Sequence, residues 1–291
     1  MSVEERQSDP QHSRGRRPPA PEPLAEPGTI DAHTHLDACG AVRPEEVRAA
    51  MDRAAAVGVR AAVTVADDLA SARWVLTAAE ADARVSAAVA LHPTRANTAT
   101  DAARAEIAAL AGAPSVVAVG ETGLDYYWPR HDPDCADPAT QREVFAWHIE
   151  LAKLLDKPLM IHDRDAHDDV LAVLRTEGAP ERVIFHCFSG GPELARACAE
   201  AGYYTSFAGP VTFRNAAALR EAAVLLPEEL LLVETDAPFL TPHPHRGKAN
   251  EPYCLPWTVR GLADARSVDA GRIAEATGRN AEQLFRIGQP R

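Results

Sequence analysis

The stretch T-I-D-A-H-T-H-L-D, Thr29 to Asp37, reads as a β-strand carrying two imidazoles two residues apart, His33 and His35. Side chains alternate between the faces of a strand, so positions i and i+2 share one. Both rings therefore reach the same point in space, as a shared metal ion requires. An H-x-H pair alone has an ordinary structural explanation. Its weight comes from later strands, which also end in ligand-type residues.

From Thr29 onward, short apolar or β-branched runs alternate with Ala-rich segments of helical period. Val47, Met51 and Ala54 predict a helix over 44–57 that stops at Gly58, and Val59, Ala61, Val63 and Val65 predict the second strand. The same alternation predicts strands over 84–91, 115–120, 158–161, 182–185, 203–207 and from 230 onward. Helices lie between them, the clearest over 141–156, with Val144, His148, Leu151 and Leu155 on one side. Two more are expected over 260–285. The segment after the fourth strand, G-E-T-G-L-D-Y-Y, reads as a polar, glycine-punctuated loop. Eight strands alternating with helices in about 250 residues predict a (β/α)8 TIM barrel. A doubly wound open sheet is the alternative that periodicity leaves standing. Ligand-type residues at the C-terminal ends of five strands favour the barrel, because only a closed ring brings the ends of strands one and eight to a common centre.

Residues 1–28 are rich in Pro, Arg and Glu and nearly empty of large apolar side chains, the composition of a disordered tail, which leaves 29–291 as the barrel domain. The tail lacks the apolar core of a secretory signal, and no apolar run reaches membrane-spanning length. Five cysteines, odd in number, irregularly spaced and without a C-x-x-C pair, point away from a disulfide framework and towards a reducing cytoplasm. The net charge of −12 is poorly suited to coating nucleic acid by phosphate neutralisation. Any attraction to a phosphodiester must be local, from metal ions and a few arginines in a cleft. That counts against a stable DNA-binding role, and much less against an enzyme that releases its substrate. No membrane association and no obligate protein partner is indicated.

The polar residues at the strand ends are His33, His35, Glu121, His162, His186 and Asp236. Six ordinary explanations at corresponding positions of one barrel would be six coincidences, so a metal site is expected. Four imidazoles and two carboxylates exceed the needs of one tetrahedral ion with an open position. They suit two ions about 3.5–4 Å apart with a shared carboxylate, for which Glu121 is placed mid-barrel. Asp236 is then the group to orient a water molecule and take its proton, with a P=O or C=O as the polarised partner.

The sequence resembles the TatD family of metal-dependent deoxyribonucleases, within the amidohydrolase-like barrels. The matching pieces are D-A-H-T-H-L-D, L-H-P, G-E-T-G-L-D-Y-Y, P-L-M-I-H-D-R, H-C-F-S-G-G, V-E-T-D-A-P-F-L, R-G-K-A-N-E-P and T-G-R-N-A-E-Q-L-F, in family order from about Thr29 to the end. The resemblance implies exonucleolytic hydrolysis of DNA phosphodiesters with two divalent cations, Mg2+ by family habit. Imidazole-rich donors match Zn2+ or Mn2+ as well. By the family pattern the six residues above are the metal ligands, with Glu121 and Asp236 also catalytic. His92 in L-H-P and Arg164 just beyond His162 are candidates for holding substrate phosphate. Glu234 shares the face of Asp236 and is a candidate partner for an inner ligand, while Lys248 and Asn250 are candidates for the substrate backbone. His131, His167, His243, His245 and Cys187 are expected to be structural or exposed. The chain departs from the family pattern with Ala90 for Gly, Thr94 for His and His148 for Gln. Other esters remain open as substrates, such as an aminoacyl-tRNA linkage or a small-molecule ester or lactone. A non-catalytic binding barrel is disfavoured, because all six ligand positions are filled.

Overall fold

Among the described residues, eight parallel strands pair in chain order, each with the next, and nine α-helices run between and after them. The computed structural model describes residues 16–287. The strands are β1 Thr29–Thr34, β2 Val59–Val65, β3 Val85–Ala88, β4 Val116–Asp125, β5 Leu159–Arg164, β6 Val183–Phe185, β7 Tyr204–Phe207 and β8 Leu231–Val233. The helices are α1 Pro44–Ala55, α2 Leu69–Ala81, α3 Asp101–Ala111, α4 Pro138–Leu155, α5 His167–Glu177, α6 Pro192–Ala201, α7 Ala217–Leu225, α8 Leu255–Arg266 and α9 Ala270–Phe285.

The ring closes between β1 and the residues after β8. Thr34 bridges Ala237 in parallel. The His35 N–H donates to the Ala237 carbonyl at 2.8 Å, and the Asp236 N–H to the His33 carbonyl at 3.0 Å. The buried Asp31 carboxyl adds a side-chain latch, accepting the Thr235 N–H at 2.9 Å and engaging its hydroxyl at 2.6 Å. Burial pushes that carboxyl up to about 8, against the pull of the Thr235 hydrogen bonds. A doubly wound sheet would reverse its strand order and leave β1 and β8 apart, so the barrel expectation holds.

Apolar side chains fill the barrel, among them Ile30, Val63, Ala88, Met160, Ile184 and Leu232. Helix α9 closes the end where the strands begin, with Leu284 and Phe285 joining that cluster and Thr277 hydrogen-bonded to Thr29 at 2.8 Å. Outside, small residues such as Ala54, Ala72, Ala152 and Ala195 let the helices approach the strands closely. Caps at the helix starts follow from sequence. Asp68, Thr100, Asp137 and Asp269 accept the orphan N–H groups of α2, α3, α4 and α9. The strand ends opposite α9 remain for chemistry.

Two segments differ from expectation. G-E-T-G-L-D is strand rather than loop, and β4 runs ten residues, to Asp125. Its second half pairs with β5, Gly123 opposite His162 and Asp125 opposite Arg164. Gly123 has φ +136°, and a Cβ there would lie 2.1 Å from the His162 carbonyl oxygen, so glycine marks a close approach of two strands. The tail differs too. Residues 1–15 lie outside the described residues, whereas 16–28 pack along the barrel. Leu24 is buried and donates its N–H to Val57 at 3.1 Å, and the Pro18 carbonyl accepts the Tyr253 hydroxyl at 2.8 Å. The Glu22 carbonyl accepts from Arg260 at 2.7 Å, and Arg17 pairs with Glu251 at 2.5 Å. A proline-rich segment loses little entropy when fixed, and its bare carbonyls need only donors, which these side chains supply.

Candidate metal centre

All six expected ligand residues meet at the C-terminal mouth of the barrel. His33 lies in β1 and His35 just beyond it, Glu121 in β4, His162 in β5, His186 directly after β6 and Asp236 after β8. Asp236 adopts φ +51°, a left-handed conformation that Asp tolerates better than most residues, and this turns its carboxylate inward. His33 is fully buried beneath the floor. The other five line a cavity of about 590 Å3, together with His92 and Arg164.

Glu121 stands at the centre and divides its oxygens. Oε1 lies 2.7 Å from His162 Nδ1, 2.7 Å from His186 Nε2 and 3.6 Å from His92 Nε2. Oε2 faces His33 Nε2 at 3.5 Å and His35 Nε2 at 3.9 Å. Asp236 Oδ1 lies 3.7 and 3.6 Å from those same two nitrogens, which are themselves 3.1 Å apart. Two groups of imidazoles thus flank one carboxylate.

Each ring is fixed from outside by its other nitrogen. His162 Nε2 meets Asp125 at 2.9 Å, His186 Nδ1 meets Glu234 at 3.2 Å, and His35 Nδ1 donates to the Val65 carbonyl at 3.0 Å. Such outer partners set the tautomer and aim of a ligating imidazole. His33 Nδ1 has the softer Met160 sulfur at 3.2 Å. Asp125 has no role in the sequence reading. Taking 121–125 as a loop hides the strand that turns Glu121 and Asp125 towards the same imidazole. Glu234 is the partner of an inner residue, as expected. Asn250 is not at the substrate. It is buried, and its amide donates to the Thr235 and Phe239 carbonyls, bracing the turn that carries Asp236.

The charges are arranged for a cation. Glu121, Asp125, Glu234, Asp236 and Asp67 surround four imidazoles, and no lysine lines the cavity among the described residues. Burial alone would raise Glu121, but His186, His92 and the His162 hydrogen bond outweigh it and hold the carboxyl well below its usual range. Without a metal the excess negative charge draws protons instead. Burial opposes this, yet Asp125 and Glu121 raise His162 to about 9, and Asp67 and Asp236 raise His35 to about 10. These protons occupy nitrogens whose lone pairs a divalent ion would otherwise take, so the donor set fits a metal. His92 differs. Burial holds it down to about 3, its Nδ1 accepts the Thr94 N–H at 3.2 Å, and its proton is left on Nε2, facing the centre. Thr94, where the family pattern has His, steadies that ring through its hydroxyl at 2.7 Å. The Arg164 guanidinium lies 4.0 Å from the Tyr127 ring centroid at the rim of the cavity.

The model of the family described as TatD related DNase matches residues 30–286. An uncharacterized metal-dependent hydrolase TatD of Mycobacterium tuberculosis (strain ATCC 25618 / H37Rv) is 61% identical over 259 residues, 89% of this chain and 98% of the relative. A 3'-5' ssDNA/RNA exonuclease TatD of Musicola paradisiaca (strain Ech703) is 37% identical over 206 residues, 68% of this chain and 76% of the relative. Among solved structures, the TatD homologue YJJV of Escherichia coli K12 superimposes with a TM-score of 0.81 at 29% identity, covering 89% of this chain and 98% of that one. With a barrel closed in chain order and a His- and carboxylate-lined mouth, the chain belongs to the TatD-related DNase family of metal-dependent hydrolases.

Proposed function

We propose that the chain is a divalent-metal-dependent exonuclease that hydrolyses DNA phosphodiester bonds, with two metal positions that share Glu121. The observation that carries this reading is the division of Glu121, one oxygen towards His33 and His35 and the other towards His162 and His186. His33, His35, Glu121 and Asp236 would hold one ion and Glu121, His162 and His186 the other. Divalent ions there supply positive charge for the phosphoryl oxygens and make water more acidic. Imidazole-rich donors favour Zn2+ or Mn2+, while Mg2+ prefers oxygen.

The protein's own groups carry the remaining steps. Asp236 orients the attacking water and takes its proton. The His92 Nε2–H, fixed by Thr94, donates to a phosphate oxygen, and Arg164 grips a phosphate from the rim. His33, His35, Glu121 and His186 are buried, and the low polarity around them strengthens these interactions. The relative in Musicola paradisiaca is described as an exonuclease on single-stranded DNA and RNA, which supports a nucleic-acid substrate. An overall charge of −12 favours release of the product strand. Five free cysteines accord with a reducing cytoplasm, and no helix among the described residues is long and apolar enough to cross a membrane.

The test is hydrolysis of single-stranded DNA by metal-stripped protein, with Mg2+, Mn2+ or Zn2+ restored separately. Activity should vanish on stripping and return with at least one ion. Glu121→Gln and Asp236→Asn should each lower turnover by about 10²–10⁴-fold while melting like the parent. Undiminished turnover in either variant would overturn the mechanism. Hydrolysis of small esters but not DNA would move the substrate to another ester class.

A further inference from the structure

The turn after β4 adds a feature to the cavity that the metal-site chemistry does not use. Asp125 holds His162 and also accepts the backbone N–H groups of Tyr127 at 3.0 Å and Trp128 at 2.8 Å. One carboxylate therefore fixes both a ring of the centre and the start of an aromatic pair. Tyr127 is engaged by His131, stacked at 4.1 Å, and by the Arg164 guanidinium, 4.0 Å from its centroid. One ring face has room for one group at that distance, so the two take opposite faces and Arg164 packs flat against Tyr127. The Trp128 indole meets Tyr127 edge-on at 5.3 Å and 85°, lies 5.6 Å from the same guanidinium, and lines the cavity half-buried.

Arg95 and Arg164 are the only arginine or lysine side chains on the cavity wall among the described residues. Two guanidiniums on a protein of charge −12 cannot hold a strand by phosphate neutralisation alone. Divalent ions at the centre would add charge only at the scissile phosphate, so further affinity along the strand calls for a contact that needs no net charge, and an aromatic face supplies one for any base. We propose that Trp128 is the stacking platform for the nucleobase next to the scissile phosphate, while Arg164, held by Tyr127, engages the adjoining phosphate. This deepens the nuclease reading and rests on it for the nature of the ligand. Stacking reads the flat face of a base and not its edge, so the subsite accepts all bases and requires an unpaired one.

Equilibrium calorimetry on the metal-stripped full-length protein tests this with two ligands that share sugar and phosphate, thymidine monophosphate and the base-less methyl glycoside of deoxyribose phosphate. Thymidine monophosphate should bind roughly five- to a hundred-fold more tightly, the range of one stacked base. Trp128→Leu should bring the two ligands close to parity, Trp128→Phe should keep most of the preference, and Arg164→Ala should weaken both ligands alike. An indole that only packs against its neighbours would leave the ratio unchanged in Trp128→Leu. That result overturns the proposal, as does a wild-type protein without preference, including one that fails to bind thymidine monophosphate at millimolar concentration. If DNA is not hydrolysed with any metal but the preference exists and is lost in Trp128→Leu, the nuclease reading falls and the base subsite stands. Hydrolysis with an unchanged preference gives the converse.

Discussion

Asp125 is the residue on which ring orientation and turn geometry meet. Its carboxylate holds His162 Nε2 at 2.9 Å and caps two backbone N–H groups of the following turn. Burial alone would raise this carboxyl, but the His162 hydrogen bond and the N–H donors outweigh it and keep it below the usual range, ionised at neutral pH. An ionised partner makes the far nitrogen of an imidazole more basic and fixes which nitrogen faces the centre. Asp125→Asn keeps the shape and removes the charge. Affinity for Zn2+ or Mn2+ should fall about 10–100-fold, measured by chelator competition, with little change in melting temperature. Unaltered affinity would leave Asp125 as a turn residue only. The same substitution class at Glu234, which holds His186 and the Cys187 N–H at 2.8 Å, should behave alike.

At the scale of elements, the strand ends are legible in the sequence because each ligand follows an apolar run whose period is plain, as His162 follows Leu159–Ile161 and Asp236 follows Leu231–Val233. The length of β4 is not legible. Gly120, Gly123 and the polar residues between them look like a loop, and nothing local reveals that Gly123 faces the His162 carbonyl. The start of α8 is hidden in the same way. The expected helix begins at 260, whereas α8 begins at Leu255, with Pro256 in the first turn, where a missing N–H costs nothing. Helix α4, by contrast, announces its buried face, and His148 on it is fully buried between two elements. Its Nε2 accepts the Leu91 N–H at 3.2 Å, so its proton sits on Nδ1 and is donated to the Thr122 hydroxyl at 2.8 Å. Burial pushes this imidazole down to about 3, against about 6.5 in an unfolded chain. Between those values the unfolded state binds a proton that the folded state refuses, so stability is lost as pH falls through that window, by up to about 1.4 kcal/mol per pH unit. His148→Gln removes the titration. Urea unfolding at pH 7 and pH 5 should show the stability lost on acidification shrinking by about 2 kcal/mol in the variant. An equal loss in both proteins would place the acid sensitivity elsewhere.

For the molecule as a whole, residues 16–28 act as a strap that ties the loop after β8 to the outside of the barrel. The strap precedes the region matched by the family model, which begins at residue 30. Its anchor is the buried Glu251 carboxylate, shared between Arg17 of the strap at 2.5 Å and Arg53 of α1 at 2.7 Å. The neighbouring Asn250 braces the turn that carries Asp236, so the strap reaches the rim of the centre through two residues. The two arginines are not equivalent. Arg17 is 55% exposed and Arg53 36%, and Arg53 makes two hydrogen bonds to one carboxylate oxygen. Arg17→Ala leaves Glu251 paired and should cost about 1 kcal/mol or less, as an exposed partner does. Arg53→Ala leaves a buried carboxylate with one exposed counter-charge and should cost more, about 2–3 kcal/mol. Deleting residues 1–23 removes Arg17 and also the Pro18 carbonyl that accepts the Tyr253 hydroxyl. The loss should be about 1–2 kcal/mol, a fall of a few degrees in melting temperature for a chain of this size. Calorimetric melting of the three variants gives the order: Arg17→Ala least destabilised, the deletion next, Arg53→Ala most. A deletion that melts with the parent would mean that the strap only lies on the barrel and does not brace it.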